Sequence, residues 1–98
     1  GYFAEFQRRT EQSTTTIASG AGAKSITFDS PFFTGTSALL GANSNPPAIG
    51  ITAFNMASGD FFELSSITGT GFTVHFKNSS GSSVDRNFNF TAIGFGKG

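Results

Sequence analysis

The sequence predicts an all-β domain, an antiparallel β-sandwich of six to seven strands, on three observations. Thirteen phenylalanines with no tryptophan and one tyrosine supply a core of rings, each worth about 1.5–3 kcal/mol when fully buried. Thirteen glycines and many serines and threonines, against few leucines and one methionine, favour strands and tight turns over helices. Short runs that alternate apolar and polar residues recur along the chain with turn signals between them. Ninety-eight residues are enough for one core and too few for two, so 1–98 reads as a single domain. The chain opens on Gly1 and enters apolar alternation at once, which reads as a piece of a longer polypeptide.

Taken in order, residues 2–9 alternate loosely, with Tyr2, Ala4 and Phe6 on one side, and make a first strand. Residues 10–23 are rich in Thr, Ser, Gly and Ala with one large apolar residue, Ile17; they read as a long connection with room for a short edge strand. Residues 24–28 alternate again and stop at Asp29-Ser30-Pro31, because proline cannot donate to a sheet ladder. Phe32 and Phe33 follow the turn, and one of them is expected to plug the end of the core. Residues 34–47, with two glycines, two asparagines and the pair Pro46-Pro47, form a loop anchored by Leu39 and Leu40.

Residues 48–54 place Ile49, Ile51 and Ala53 on one face. Residues 55–60 connect them to 61–67, where Phe62 and Leu64 oppose Phe61, Glu63 and Ile67. Residues 71–77 alternate cleanly, Phe72, Val74 and Phe76 against Thr73, His75 and Lys77. The last run, 86–95, sets Phe88, Phe90 and Ala92 against Asn87, Asn89, Thr91, Ile93 and Phe95. That second face turns apolar at its far end, as a strand does when something covers it; a neighbouring subunit is one candidate.

Six basic and six acidic residues give a formal charge of zero, so no long-range attraction to nucleic acid or to anionic lipid is built in. Such low charge also hints at assembly. Without cysteine there is no disulfide, thiolate metal site or cysteine nucleophile. No apolar run approaches the roughly 18 residues of a membrane span, and membrane insertion is not expected. His75, the sole histidine, reads foremost as a partly exposed strand residue and secondarily as a sugar contact or pH-sensitive group. The serines lack a nucleophile elbow and the six carboxylates are scattered, so no catalytic, metal or cofactor-binding set is indicated. Phe54, Phe61 and Phe95 could form an aromatic platform, although such rings more often serve core or interface.

Four signatures together resemble the strands of H-type lectin-like domains: residues 26–33 (ITFDSPFF), 47–51 (PAIGI), 67–74 (ITGTGFTV) and 88–94 (FNFTAIG). The stretch 55–63, NMASGDFFE, looks more specifically like the C-terminal domain of phage tail-tip host-specificity proteins, the central tail-fibre family. The resemblance covers roughly residues 24–96. It implies a small sandwich that assembles as a homotrimer, placed at a virion tail tip, whose partner is a bacterial surface glycan or outer-membrane protein. In the family, sugar is held near subunit boundaries by residues after the strand that begins GF. The matching stretch here, 76–80, has no tryptophan; Lys77, Asn78 and His75 are the residues the resemblance carries over, with Ser79 beside them.

The polar loops 41–46, 55–60 and 77–83 make the candidate contact surface, with Asn55 and Asp60 as further ligand-binding candidates. Two functions stand foremost: non-enzymatic host recognition, and a structural role in which the domain trimerises and caps a fibre without touching a receptor; a depolymerase is a third, which no residue set predicts.

Overall fold

The computed structural model describes residues 8–34 and 46–95. Among them are seven strands and no helix: β1 (Arg8–Gln12), β2 (Ile17–Ala18), β3 (Ala23–Thr27), β4 (Ala48–Ala53), β5 (Phe61–Ser65), β6 (Gly71–Lys77) and β7 (Asn87–Phe95). They form two antiparallel sheets. In one, β7 is central, with β4 along one side and β1 and β2 end to end along the other. In the second, β6 is central between β3 and β5.

The two central strands are the longest, and they carry the cleanest alternation because each has one face buried. Phe72, Val74 and Phe76 on β6 meet Phe88, Phe90 and Ala92 on β7. Ring centroids lie 5.3 Å apart for Phe72–Phe90 and 5.4 Å for Phe76–Phe88, the spacing of favourable edge and tilted aromatic pairs. The inner faces of the two sheets therefore meet through phenylalanine. Ile49, Ile51 and Ala53 from β4 and Leu64 from β5 fill the flanks.

One end of this core is closed by the chain crossing from β3 toward β4. The Phe28 amide donates to the Thr70 carbonyl and the Phe32 amide to that of Gly69, while the Phe33 amide donates across to Phe95 in the other sheet. Phe32, 5% exposed, is the plug that the sequence anticipates. Gly94 makes room for it: a Cβ there would lie 2.8 Å from the Phe32 ring.

The first strand runs on to Gln12, past its expected end at Arg9. β1 spans Arg8–Gln12, inside what reads as the end of a strand and the start of a connection; residues 2–7 lie outside the described residues. The reason is a charged pair facing inward. Glu11 accepts hydrogen bonds from the amides of Asp29 (2.8 Å) and Ser30 (3.4 Å). Arg9 donates to the Ser30 carbonyl at 2.5 Å, contacts Glu11 at 3.4 Å, and lies over the Phe32 ring at 3.9 Å. The crossing segment supplies partners for the Glu11 carboxylate and for Arg9 Nη2, while Arg9 Nε is buried without a hydrogen bond among the described residues, so polar side chains occupy positions that apolar periodicity leaves blank. The short edge strand allowed within 10–23 is β2.

On the far face of β7 the cover expected at the apolar end comes in part from the chain itself. Phe95 is covered within the chain, by the bridge to Phe33 and by Arg8, whose guanidinium lies 5.8 Å from the ring centre. Ile93, at 44% exposed, is not.

Candidate functional site

Opposite the Phe32 plug, the loops that follow β4 and β6 come together with the segment leading into β7. The first loop, 54–60, is closed by Asp60. Its carboxylate accepts the Ala57 amide at 2.8 Å, and Arg86 Nε and Nη2 reach it at 2.8 and 2.7 Å. The amide hydrogen bond first, and then Arg86, hold the Asp60 carboxyl below its usual pKa. Asn55 accepts the Asn87 amide at 2.8 Å, beside a bond from the Phe54 amide to the Asn87 carbonyl. Of the candidates, Asp60 and Asn55 thus shape the loop before they can contact anything else.

The second loop, 78–83, is organised by Asn78. Its side-chain oxygen accepts the amides of Ser80 and Ser82, each at 3.0 Å, an Asx turn of the kind asparagine forms readily. Gly81 takes a positive φ of 84° and donates its amide to the Asn78 carbonyl. The two loops then touch. Gly59 has φ 86°, and a Cβ at that position would sit 2.8 Å from the Cβ of Ser79. Glycine is needed there for both backbone and space.

The outer face of β6 continues this surface. His75 lies opposite Glu63 in register, and Lys77 opposite Phe61. Lys77 Nζ reaches Glu63 at 2.7 Å; this hydrogen bond is the leading reason that the Glu63 carboxyl lies below its usual pKa. His75 Nε2 and Ser83 Oγ are 2.7 Å apart.

Ser83 lies in the 77–83 loop that the sequence offers but is not singled out there, and Arg86 is the member that sequence reasoning missed. Ser83 is one serine among many in its loop, and only its bridge to Lys77 returns it to the histidine. Arg86 is held by Ser19, whose hydroxyl accepts the Arg86 amide at 2.9 Å. Ser19 is buried, at 6% exposed. Neither contact leaves a local pattern.

The structure thus brings His75, Lys77, Asn78, Ser79, Asn55 and Asp60 to one end of the molecule. It does not unite the three rings proposed as a platform. Phe54 and Phe61 are exposed near the Asn87 end of β7, while Phe95 lies eight residues further along, about 27 Å at strand rise. The loop 41–46 falls outside the described residues but for Pro46. Among the described residues no group of three or more His, Asp or Glu side chains is placed to hold a metal ion.

Chemically, this end offers amide and hydroxyl hydrogen-bonding groups on a fixed backbone, one histidine, and one exposed ion pair that a charged ligand could exchange. That inventory suits reversible recognition of a polar surface. No family model, curated protein or solved structure matches the chain.

Proposed function

We propose that the domain is a non-enzymatic recognition module of a phage tail-fibre tip, which contacts a bacterial surface glycan or outer-membrane protein through the end that carries the 54–60 and 77–83 loops. One observation supports this reading above the others: two polar loops, distant in sequence, are locked against each other at Gly59 and Ser79 beside His75 and Lys77. Each has its own internal scaffold, Asp60 with Arg86 in one and Asn78 in the other. Their exposed side chains are therefore presented on a prepared surface, which lowers the ordering cost of binding.

In this proposal the two sheets form an H-type lectin-like sandwich that assembles as a homotrimer. Three weak sites then act together, because linkage raises the effective concentration of the second and third.

The structural alternative rests on a different observation. Phe54 is 56% exposed, Phe61 41%, Phe62 38% and Ile93 44%, large apolar side chains that subunit contacts would cover. A domain whose sole work is to trimerise and cap a fibre needs these and not the loops.

Light scattering at micromolar concentration, together with adhesion to a panel of bacteria and competition with intact phage, separates the readings. A trimer that adheres and competes is the expected result. A trimer that does neither leaves the capping role, and a clean monomer removes the trimer from both.

A further inference from the structure

β3 is one of the two edge strands of the β6 sheet, opposite β5, and its far side opens on a groove of about 330 Å³ between the two sheets. The opposite wall is formed by residues 11–15 and Ile17, and the base by Ile26 and Phe90. The Phe28 amide bonds to the Thr70 carbonyl, and the β3–β6 register runs on from that pair. Antiparallel ladders alternate bonded and non-bonded pairs, so Lys24 and Ile26 spend their backbone groups on β6. Ala23, Ser25 and Thr27 turn theirs to the open edge, and all three residues are exposed. The strand has no proline, bulge or outward charge, the devices by which edges are usually closed. Beside it, Lys24 is half-buried, lines the groove, and makes no hydrogen bond or ion pair among the described residues.

We propose that this edge is a docking site for an extended peptide segment of another protein, added antiparallel to β3 with an acidic side chain opposite Lys24 and an apolar one opposite Ile26. Main-chain donors and acceptors at strand spacing give affinity in such additions, and alternate side chains give specificity. A free sugar fits less well, because the ring at the base, Phe90, is only 6% exposed and offers little face for stacking. A second copy also fits less well. β3 reads Ala-Lys-Ser-Ile-Thr, with no carboxylate; antiparallel self-pairing about Ser25 sets Lys24 against the partner copy's isoleucine, its charge unmet.

The test uses the full chain, labelled for amide NMR, and the capped probe peptide Thr-Val-Thr-Glu-Thr, whose central threonine faces Ser25 in the proposed register. The Ser25 and Thr27 amides are expected to shift on titration while that of Glu63 stays still. N-methylation of the central threonine should weaken binding about tenfold, the loss of roughly one hydrogen bond. Lys24→Gln should weaken it about two- to fivefold, as an exposed ion pair would, and Lys24→Glu should bind a probe carrying lysine in place of glutamate better than the original probe. Unmoved Ser25 and Thr27 amides, or an N-methylated peptide that binds as tightly as its parent, would overturn the proposal. So would shifts at those amides that follow protein concentration without peptide, which would assign the edge to a second copy.

Discussion

The two faces of β6 carry opposite burdens within seven residues. Inward, Phe72, Val74 and Phe76 are at most 3% exposed and meet rings on the facing sheet. Outward, Thr73, His75 and Lys77 are half-buried; Lys77 meets Glu63 and His75 meets Ser83. Alternation alone separates them. The lesson is that side chains one residue apart can be tested for different properties, stability on one face and recognition on the other, with the loop anchors Asp60 and Asn78 between the two extremes.

The largest break in that contrast is Phe76→Ala. Removing a fully buried ring leaves a cavity between the sheets and should cost about 3–5 kcal/mol, read by chemical denaturation. His75→Ala, next door, should stay within about 0.5 kcal/mol of wild type. Equal losses at the two positions would end the division of labour.

Asp60→Asn comes next. The carboxylate has a side-chain exposure of 2% and holds both Arg86 and the Ala57 amide, so the variant should melt lower than wild type, though by less than Phe76→Ala. It also sharpens the pH dependence. Asp60 and Glu63 both have folded pKa values below the usual 3.8 and 4.5, so their contribution is fully present at neutral pH. It is lost only as pH falls below those usual values and through the lower folded ones. Melting curves should therefore be insensitive to these two groups between about pH 6 and 8 and should fall in acid. In Asp60→Asn the acid loss should shrink. A variant with undiminished acid sensitivity would show that the carboxylate is not what acid attacks.

Asn78→Ala removes the acceptor for two loop amides and should cost about 1–2 kcal/mol, with amide shifts concentrated in 79–82. The smallest effect is expected from Glu63→Gln. Its side chain is 58% exposed, and pairs of that kind contribute little; its melting temperature should match wild type while binding of a charged ligand changes.

Much of this was legible beforehand for a physical reason: β6 and β7 bury one face against the partner sheet, so their periodicity is strong. Phe32 as a plug follows from the same logic at a proline turn. β1 was legible only at Arg8 and Arg9 and not in its run to Gln12, because Glu11 points inward and accepts from the amides of residues 29 and 30, a contact no local window contains. The candidate end was half legible. His75, Lys77 and Asn78 stand near one another in sequence. Their union with residues 55–60 depends on Gly59 meeting Ser79, and the roles of Ser83 and Arg86 on hydrogen bonds fixed by the fold. Asp60 and Asn55, singled out as contacts, prove first to be the struts of their loop.

The most direct test of the recognition proposal is adhesion to bacteria by the isolated domain and by Ser79→Arg. That substitution keeps the Cβ against Gly59 and adds bulk at the center of the proposed surface. The account predicts a wild-type protein that adheres and a variant that melts at the same temperature and does not. A variant that adheres as well as wild type, with its fold intact, would contradict it.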